Sequence, residues 1–309
     1  MKLKEWGVFA LLGLVWGSSF LWIKIAVQEI GPFMLVTLRL LSGLIGLLVI
    51  MRAQRLSFPR DRKTLLAYLF MGAFNTAIPF TLISWGETQI DSGLASILNG
   101  TVPLFTIVIA NFWLHDEKIT LPRIGGLIVG FIGVVVLVSR DIDPGGLFKG
   151  SIVGQLAVIA ASICYATAIT FSRKYLRNQN PVVQSTLVLL IASVLMGIVT
   201  PIAEPLRLPA LPMTWFAVAW LGLLGSCLAY LMFFYLINAW GPTRASLVTY
   251  VFPVIGLILG LLFLNEQADW RLIAGTLLVV GGIVVVNFNV IFKLAPARAP
   301  AVALPREAE

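Results

Sequence analysis

Residues 91–114 read DSGLASILNGTVPLFTIVIANFWL, and Asp91 is the one charged side chain among them. A helix needs ~20 apolar residues to cross the hydrocarbon core of a bilayer, so this run is long enough to span a membrane. A similar order of residues returns 150 positions later: ASLVTYVFPVI at 245–255 aligns with ASILNGTVPLF at 95–105. The stretch therefore predicts a membrane helix that is present twice in the chain.

The composition of the whole chain agrees with a membrane protein. Of its 309 residues, 59% are hydrophobic and 12% are charged, whereas a soluble domain is about 45–50% apolar and about 25% charged. So few charges exclude an ordinary soluble enzyme and a disordered chain. The two cysteines, Cys164 and Cys227, lie in apolar runs and define no disulfide framework.

Ten apolar runs are present, and they predict an all-α integral membrane protein with ten transmembrane helices. Their approximate bounds are 5–27, 32–51, 64–86, 91–114, 121–139, 151–172, 181–201, 213–238, 243–264 and 270–292. Below they are numbered as spans 1 to 10. They are too long for the strands of a membrane barrel, which alternate over ~10 residues.

The positive charges predict the orientation of these spans. Sixteen Lys and Arg residues lie at the N-terminus, in the even-numbered loops and in the C-terminal tail, against four in the odd-numbered loops. Cytoplasmic segments carry the excess of Lys and Arg. Both termini are therefore predicted to be cytoplasmic. The net charge of +8 reports orientation, and we predict no nucleic-acid partner.

The chain also repeats itself at an offset of 149 or 150 residues. Matching pairs include Lys24 and Arg173, Pro32 and Pro181, Gly72 and Gly222, Pro103 and Pro253, Glu117 and Glu266, and Gly133 and Gly282. The predicted organisation is a first half at 1–145, a second half at 146–292 and a cytoplasmic tail at 293–309. Because each half has five spans, the halves enter the membrane from opposite sides, as in many secondary transporters. The alternative is a duplication that serves packing only.

These residues resemble the drug/metabolite transporter superfamily, and within it the EamA-type amino-acid and metabolite exporters. The resemblance rests on WGSSF at 16–20, the prolines inside spans 4 and 9, the acidic residues Glu117 and Glu266 after those spans, and the glycine-rich spans 5 and 10. It implies a central cavity lined by spans 1, 3, 4, 6, 8 and 9, with spans 5 and 10 outside it. It also implies an exporter in the bacterial inner membrane.

Enzyme motifs are missing from the sequence. The single histidine, His115, stands at a predicted helix end without an HExxH-type partner, and no nucleotide-binding loop is found. We therefore predict no enzymatic activity, no metal, no cofactor and no catalytic residues. The predicted partners are a small-molecule substrate and the lipid bilayer, for a chain that is monomeric.

Charged groups at membrane depth are functional candidates. None of the 14 acidic residues falls near the middle of a span, which favours facilitated transport or coupling through less obvious groups. Lys24 lies one turn from the outer end of span 1, either as an anion-attracting gate residue or as an anchor that snorkels to the headgroups. Arg39 lies deeper, in span 2, and we expect it to form a structural pair with a carbonyl or an acidic residue; contact with a ligand is the alternative.

Polar residues on one face of spans 4 and 9 form the most specific pattern. Ser92, Ser96, Asn99 and Pro103 share a helical face, and Pro242, Ser246, Thr249 and Pro253 repeat it. A proline removes a backbone hydrogen bond and kinks the helix. The freed carbonyls can meet a substrate if this face lines a cavity. The alternative is that these side chains join helices by hydrogen bonds.

Aromatic residues are expected to surround this site. Trp16 and Ser19 share a face of span 1, and Tyr165 is the counterpart of Trp16 in span 6. Asn75 and Pro79 share a face of span 3, Ser226 and Tyr230 share one of span 8, and Tyr250 follows Thr249. An apolar, aromatic pocket with few polar groups suits an amphipathic solute. For each aromatic residue, packing or lipid contact is the alternative.

Together these features predict a secondary transporter that exports small amphipathic metabolites, most specifically aromatic and other neutral amino acids, by alternating access. Asn75, Asn99 and Thr249 are the predicted hydrogen-bonding residues, and Pro79, Pro103 and Pro253 bend the helices. A second candidate function is an organic-phosphate or nucleotide-sugar carrier, although Asn99, Thr249 and Tyr250 are neutral. A third is a structural membrane subunit that transports nothing.

Overall fold

The computed structural model describes residues 3–114, 119–139, 150–176, 179–240 and 246–286. Every regular element in these ranges is a helix, and the predicted all-α membrane fold is confirmed. Of the positions discussed above, His115, Glu117, Pro242 and the tail 293–309 lie outside the described residues.

The α-helices of the described ranges are numbered here in chain order. They are α1 Leu3–Gly17, α2 Ser19–Ala26, α3 Pro32–Ala53, α4 Arg62–Gly72, α5 Ile78–Gly86, α6 Ser92–Asn99, α7 Val102–Trp113, α8 Leu121–Val138, α9 Gly150–Tyr175, α10 Pro181–Ala203, α11 Pro212–Ala219, α12 Ala229–Trp240, α13 Phe252–Phe263 and α14 Trp270–Val286. Two π-helical segments, Ala73–Ala77 and Trp220–Leu228, and a 3₁₀ segment, Ser246–Tyr250, lie between them.

Seven stretches of helix are long and apolar enough to cross a membrane within the described residues. They are Leu3–Ala26, Pro32–Ala53, Arg62–Gly86, Ser92–Trp113, Ser151–Tyr175, Pro181–Ala203 and Pro212–Phe233. Three further apolar helices, Arg123–Val138, Val248–Phe263 and Trp270–Val286, are shorter. Ten crossings therefore remain a prediction, whereas a multi-pass membrane fold is established. Leu277 and Ile45, 68% and 63% exposed, belong to surfaces that suit contact with lipid.

Proline begins the second span of each half. Pro32 follows the cap residue Gly31, and Pro181 follows Asn180, whose side chain accepts a hydrogen bond from the Val182 amide at 2.9 Å. Proline suits the first helical position because it has no N–H to leave unpaired there. The first half lacks a capping side chain at Gly31, and Glu204 of the second half accepts from the Met34 amide instead.

The predicted kink in span 4 is a local interruption of the α-helix at Gly100 and Thr101, whose backbone keeps right-handed helical dihedral angles. α6 ends at Asn99, and α7 begins at Val102 with Pro103 in its second position. Pro253 holds the second position of α13 in the same way. The broken helices cross closely, because a Cβ added at Gly100 would lie 2.6 Å from Pro253 and one added at Gly256 would overlap the Ser96 side chain.

The last helices of the two halves, α8 and α14, pack along each other through glycine. A Cβ added at Gly282 would lie 2.5 Å from the backbone nitrogen of Gly130, and one at Gly133 would lie 2.7 Å from that of Val279. Such contacts require small residues. Spans 5 and 10 thus form a pair of their own.

Candidate functional site

Arg39 is the charged residue around which the candidate site is built. It lies two turns along α3, and its side chain is only 6% exposed. Its Nε donates a hydrogen bond to Ser226 Oγ at 3.2 Å, and its Cζ lies 3.9 Å from the centre of the Phe80 ring. Second-span and eighth-span residues therefore meet at a buried cation.

The expected pairing of Arg39 with a carbonyl or an acidic residue is not what the structure shows. In the described part of the chain, its partners are a hydroxyl and an aromatic face, and no carboxylate forms an ion pair with it. A buried charge without an ion-pair partner is costly, and a ring face offsets that cost by about 2 kcal/mol. Glu87 interacts with Arg39 electrostatically but forms no ion pair with it among the described residues. The guanidinium therefore retains capacity to bind an anionic group.

Aromatic and amide side chains from spans 1, 3, 6 and 8 form a connected group beside this cation. Asn75 Nδ2 lies 3.5 Å from the hydroxyl oxygen of Tyr230, and the Trp16 ring meets the Tyr230 ring edge to face at 6.3 Å. Tyr165 packs against the same buried cluster as Phe80, the ring that the guanidinium of Arg39 faces. Asn75, Tyr165 and Tyr230 are half-buried. Trp16, Arg39, Asn75, Tyr165, Ser226 and Tyr230 are called the central cluster below.

The π-helical segments explain how this cluster forms. They interrupt spans 3 and 8 at matching places, and they contain Asn75 in the first half and Gly225 and Ser226 in the second. A π-helical turn shifts the hydrogen-bonding pattern of a helix and is frequent at functional sites. Ser226 Oγ donates to the Leu221 carbonyl at 3.0 Å and accepts from Arg39.

The structure places the other predicted residues of spans 1 and 3 beside the cluster. Ser19 is buried and donates to the Val15 carbonyl of its own span at 3.2 Å. A Cβ added at Gly225 would lie 3.5 Å from Ser19 Oγ. Pro79 is buried in the second position of α5, directly before Phe80. Both positions therefore support the cluster through packing.

The polar face of spans 4 and 9 is divided between two environments. Ser96 is fully buried at the crossing of α6 and α13, where its Oγ donates to the Gly93 carbonyl at 2.7 Å. Asn99 Oδ1 is buried and accepts no hydrogen bond from the described residues. Thr249 and Tyr250 are half-buried. Ser96 thus packs at the crossing while its hydroxyl bonds its own helix, and Asn99 Oδ1 has no hydrogen-bond partner in the described residues.

Carboxyl side chains gather at one end of the bundle, which we call the acidic end. They include Glu29, Glu87, Glu204 and Glu266, and the charge count of the loops predicts that this end faces away from the cytoplasm. Glu29 Oε1 accepts from the amide of Leu211 at 2.9 Å and from that of Ala210. Together with the contact of Glu204, this ties the first half to the second.

Glu266 makes the third contact of this kind. The backbone of Asn265 is left-handed, with φ of 54°, a conformation that asparagine tolerates at helix ends. The chain turns back so that the Glu266 carboxylate accepts from the amides of Ser92 and Gly93 at 2.7 and 2.9 Å. A carboxylate is favourable at a helix N-terminus, and here it caps α6 from the opposite half.

In the structure, Lys24 combines backbone contacts with a place in an open pocket. Its Nζ donates to the backbone carbonyls of Glu87 and Ile90, both at 2.7 Å, and so it fixes the end of span 3 instead of reaching toward headgroups. It also lines an open pocket of about 340 Å³ with Gln28, Asp91 and Glu266. Because Asp91 and Glu266 add two carboxyl groups to the same lining, the pocket is not positively charged, and the role of attracting anions stays a prediction.

Glu87 is the residue that the sequence did not single out. It follows the third span and is 0% exposed, and neither carboxyl oxygen has a hydrogen-bond partner in the described residues. Burial is the largest effect on this carboxyl group, and it raises the pKa well above the ordinary value. Among the neighbouring charges, Lys24 and Arg39 lower the pKa and Glu266 raises it. Its place at a span end, between Gly86 and Thr88, gave no signal of such burial.

The described residues do not provide the ligand set that a metal ion requires. No cluster of three or more His, Cys, Asp or Glu side chains that could hold one occurs in them. Cys164 and Cys227 are free thiols.

A multi-pass helical protein with a buried cation among aromatic residues, at the junction of two related halves, has the form of a membrane transporter. The chain belongs to the EamA-like transporter family, which matches it twice, over residues 5–139 and 152–288. This confirms the resemblance to the drug/metabolite transporter superfamily. It also confirms that the protein is a transporter and not an enzyme.

Curated relatives agree with this assignment over most of their length. The chain is 28% identical to the uncharacterized transporter YoaV of Bacillus subtilis, over 89% of this chain and 94% of YoaV. It is 26% identical to an uncharacterized transporter of Archaeoglobus fulgidus, over 92% and 99%. It is 29% identical to the uncharacterized inner membrane transporter YedA of Escherichia coli, over 82% and 81%.

A solved structure shares the fold. A crystal structure with 19% sequence identity superposes with a TM-score of 0.67, over 96% of this chain and 100% of the other. The arrangement of helices described above is therefore that of a known fold.

Proposed function

We propose that this transporter exports small amphipathic metabolites, with aromatic and other neutral amino acids as its main substrates, across the bacterial inner membrane. The observation that carries the proposal is Arg39, a buried guanidinium without a carboxylate partner in the described residues, beside aromatic rings. A guanidinium recognises a carboxylate by paired hydrogen bonds, which an amino acid supplies.

The central cluster suits the rest of such a substrate. An aromatic or aliphatic side chain can lie against Trp16 and Tyr165, since rings pack favourably edge to face or offset. The amide of Asn75 and the hydroxyl of Tyr230 can bond the ammonium group or the carboxylate. The unused Oδ1 of Asn99 supplies a further acceptor. A neutral amino acid would thus meet a cation, acceptors and an apolar wall.

Movement of the two halves would expose this site to one side of the membrane and then the other. Inverted halves that rock about a central site are the usual basis of alternating access. The helix breaks at Pro103 and Pro253, and the proline at 79, lie where bending is required. The division at 1–145 and 146–292, cytoplasmic termini, the tail at 293–309 and a monomeric state are parts of the same proposal.

The phosphate-carrier alternative is less well supported by the same geometry. A dianionic phosphate needs several cations, whereas Arg39 is the one cation of the central cluster and its neighbours are neutral. A non-transporting structural subunit would leave the buried guanidinium of Arg39, which forms no ion pair in the described residues, without a role. Both alternatives are separated from amino-acid export by a flux measurement.

The test is counterflow in proteoliposomes. Vesicles that contain the purified protein and unlabelled L-phenylalanine inside are diluted into trace radiolabelled L-phenylalanine, and the transient uptake of label is measured. We expect uptake with L-phenylalanine, competition by L-leucine, and little competition by glucose 6-phosphate. Uptake of labelled glucose 6-phosphate instead would support the phosphate carrier, and no flux of either solute would contradict the proposal.

A further inference from the structure

The central observation is the environment of Glu87, which the proposed substrate site does not use. Its carboxyl group is fully buried, and both oxygens lack hydrogen-bond partners among the described residues. An ionised carboxylate in such a place would forgo its hydration without compensation. The neutral acid is the form that this packing accommodates.

The charged groups that face Glu87 come from three directions. Lys24 approaches from α2, but its Nζ is engaged by the carbonyls of Glu87 and Ile90 rather than by the carboxyl group. Glu266, in the turn after α13, raises the pKa of the Glu87 carboxyl group, whereas Arg39, on α3, lowers that pKa. Asp91, which precedes α6, lines the open pocket with Lys24 and Glu266.

The helix packed against the end of span 3 brings no charge to Glu87. On α9, Gly154 and Val158 lie nearest the preceding residue, Gly86, where an added Cβ would lie 2.8 Å from Val158 and 2.9 Å from the Gly154 carbonyl. The backbone just before Glu87 is therefore tightly packed against α9, where the neutral side chain of Gln155 is also fully buried.

Contacts between the two halves close the acidic end beside Glu87. Glu266 holds the start of α6, shortly after Glu87 in the chain, by accepting from the amides of Ser92 and Gly93. Glu29 and Glu204 join the two halves at the same end. If the halves separate here, water reaches the carboxyl group.

We propose that Glu87 is a proton-binding site, and that each closure of the acidic end takes up one proton from the solution on that side. The proton leaves a hydronium ion and forms an O–H bond on the Glu87 carboxyl group; on reopening, that bond breaks and the proton returns to water. The inference rests on the alternating access of the proposed function, but it requires no particular substrate.

The direction of the pH dependence follows from the raised pKa of the closed form. In the open form Glu87 is hydrated and has an ordinary carboxyl pKa, so the closed form binds more protons. Closure is fully favoured below the ordinary pKa and is weakened as pH rises toward the raised pKa of the closed form. An alkaline outer solution therefore favours opening of the acidic end.

The test measures this opening directly. Cys164 and Cys227 are replaced by alanine, and the buried Ser92 is replaced by cysteine (Ser92→Cys). A membrane-impermeant maleimide is added outside proteoliposomes at several pH values. The labelling rate is divided by that of Gln28→Cys, an exposed position at the same end, so that the pH dependence of thiol reactivity cancels. Glu87→Gln and, as a matched control, Glu29→Gln are then introduced.

We expect the corrected rate to rise with pH by up to about tenfold per unit, the limit for one proton. Glu87→Gln should give a low rate that does not change with pH, because the amide stays neutral, whereas Glu29→Gln should retain the dependence. A corrected rate independent of pH in the parent, or a dependence that survives in Glu87→Gln, would overturn the proposal.

An infrared measurement serves if Ser92→Cys fails to fold. The parent should show a protonated carboxyl band at neutral pH that is missing from Glu87→Gln and present in Glu29→Gln; a band unchanged by Glu87→Gln would contradict the proton site. Neither experiment uses a transported solute. A negative L-phenylalanine counterflow with a positive labelling result would therefore reject the substrate and keep the proton site.

Discussion

Trp16 donates a hydrogen bond from its indole Nε1 to the backbone carbonyl of Gly225 at 2.9 Å. This bond joins the first span of one half to the π-helical segment of the other. Ser18 Oγ likewise accepts from Trp220 Nε1 at 3.0 Å. The sequence WGSSF, which helped to define the family resemblance, therefore lies against span 8 at the depth of the candidate site.

Replacement of Arg39 by glutamine should abolish most L-phenylalanine counterflow. A hydrogen bond to a charged group is worth about 1.5–3 kcal/mol, so substrate affinity should fall about tenfold to more than a hundredfold. Binding is measured by the concentration of L-phenylalanine that half-saturates counterflow. Arg271→Gln is the matched control, because Arg271 bonds the Ser139 carbonyl away from the central cluster. Equal losses in both variants would show that Arg39 is not a ligand residue.

Asn99→Leu and Tyr250→Ala should lower counterflow per folded molecule. Asn99→Leu removes an acceptor oxygen that has no hydrogen-bond partner in the described residues, and Tyr250→Ala removes a ring that packs against the buried core. Leu277→Ala, which changes a side chain that is 68% exposed, should transport as the parent does. Folded protein is quantified by size-exclusion chromatography before flux is compared. If both site variants match Leu277→Ala, these residues serve packing and substrate binds elsewhere.

Glu266→Ala should destabilise the acidic end. Two amides at the start of α6 lose a charged acceptor, at a cost of about 1.5–3 kcal/mol. Thermal unfolding in detergent should show a lower midpoint, with Glu266→Gln in between, because the amide keeps one acceptor oxygen. A midpoint unchanged by Glu266→Ala would mean that the contact contributes nothing to stability.

Gly282→Leu should impair folding more than any substitution on the lipid surface. A side chain there would meet the backbone of Gly130 at 2.5 Å, and backbone atoms cannot move aside as a side chain can. Overpacking typically costs about 1–3 kcal/mol, and a lower yield of monodisperse protein is expected. Gly281→Leu is the control, since a Cβ at Gly281 meets nothing within 4 Å. Equal yields from the two variants would contradict the close packing of α8 and α14.

Reporter fusions at the junction of the two halves and in the C-terminal tail should lie on opposite sides of the membrane. A fusion after Lys293 should lie in the cytoplasm, and one within 141–149 should lie outside, since an odd number of spans separates them. Enzymatic reporters that are active on only one side of the membrane provide the measurement. If both fusions lie on the same side of the membrane, the two halves are not inverted relative to each other.

Much of the fold could be predicted, because membrane helices are specified by composition and length. Pro32 and Pro181 begin helices as repeats of one pattern, and Pro103 and Pro253 mark helix breaks. The π-helical segments could not be predicted, since neither AFNTA nor WLGLLGSCL differs from an ordinary apolar helix in periodicity. They depend on contacts between spans.

The candidate site was predictable in its residue types but not in its organisation. Trp16, Asn75, Tyr165, Ser226 and Tyr230 were recognisable as polar or aromatic residues inside spans. That Arg39 would be stacked on Phe80 and bonded to Ser226 could not be read from spacing, because 187 residues separate that hydrogen-bonded pair. The burial of Glu87 likewise depends on how neighbouring spans close over it.

The glycine contacts between α8 and α14 bear on how the protein is made. Gly133 and Gly282 are about 150 residues apart, and ribosomes add about 5–20 residues per second. The fifth span therefore waits on the order of 10 s for the helix that covers its glycine face. During that interval it needs a substitute neighbour, which the insertion machinery or lipid must provide, so slower elongation through the second half should increase misassembly.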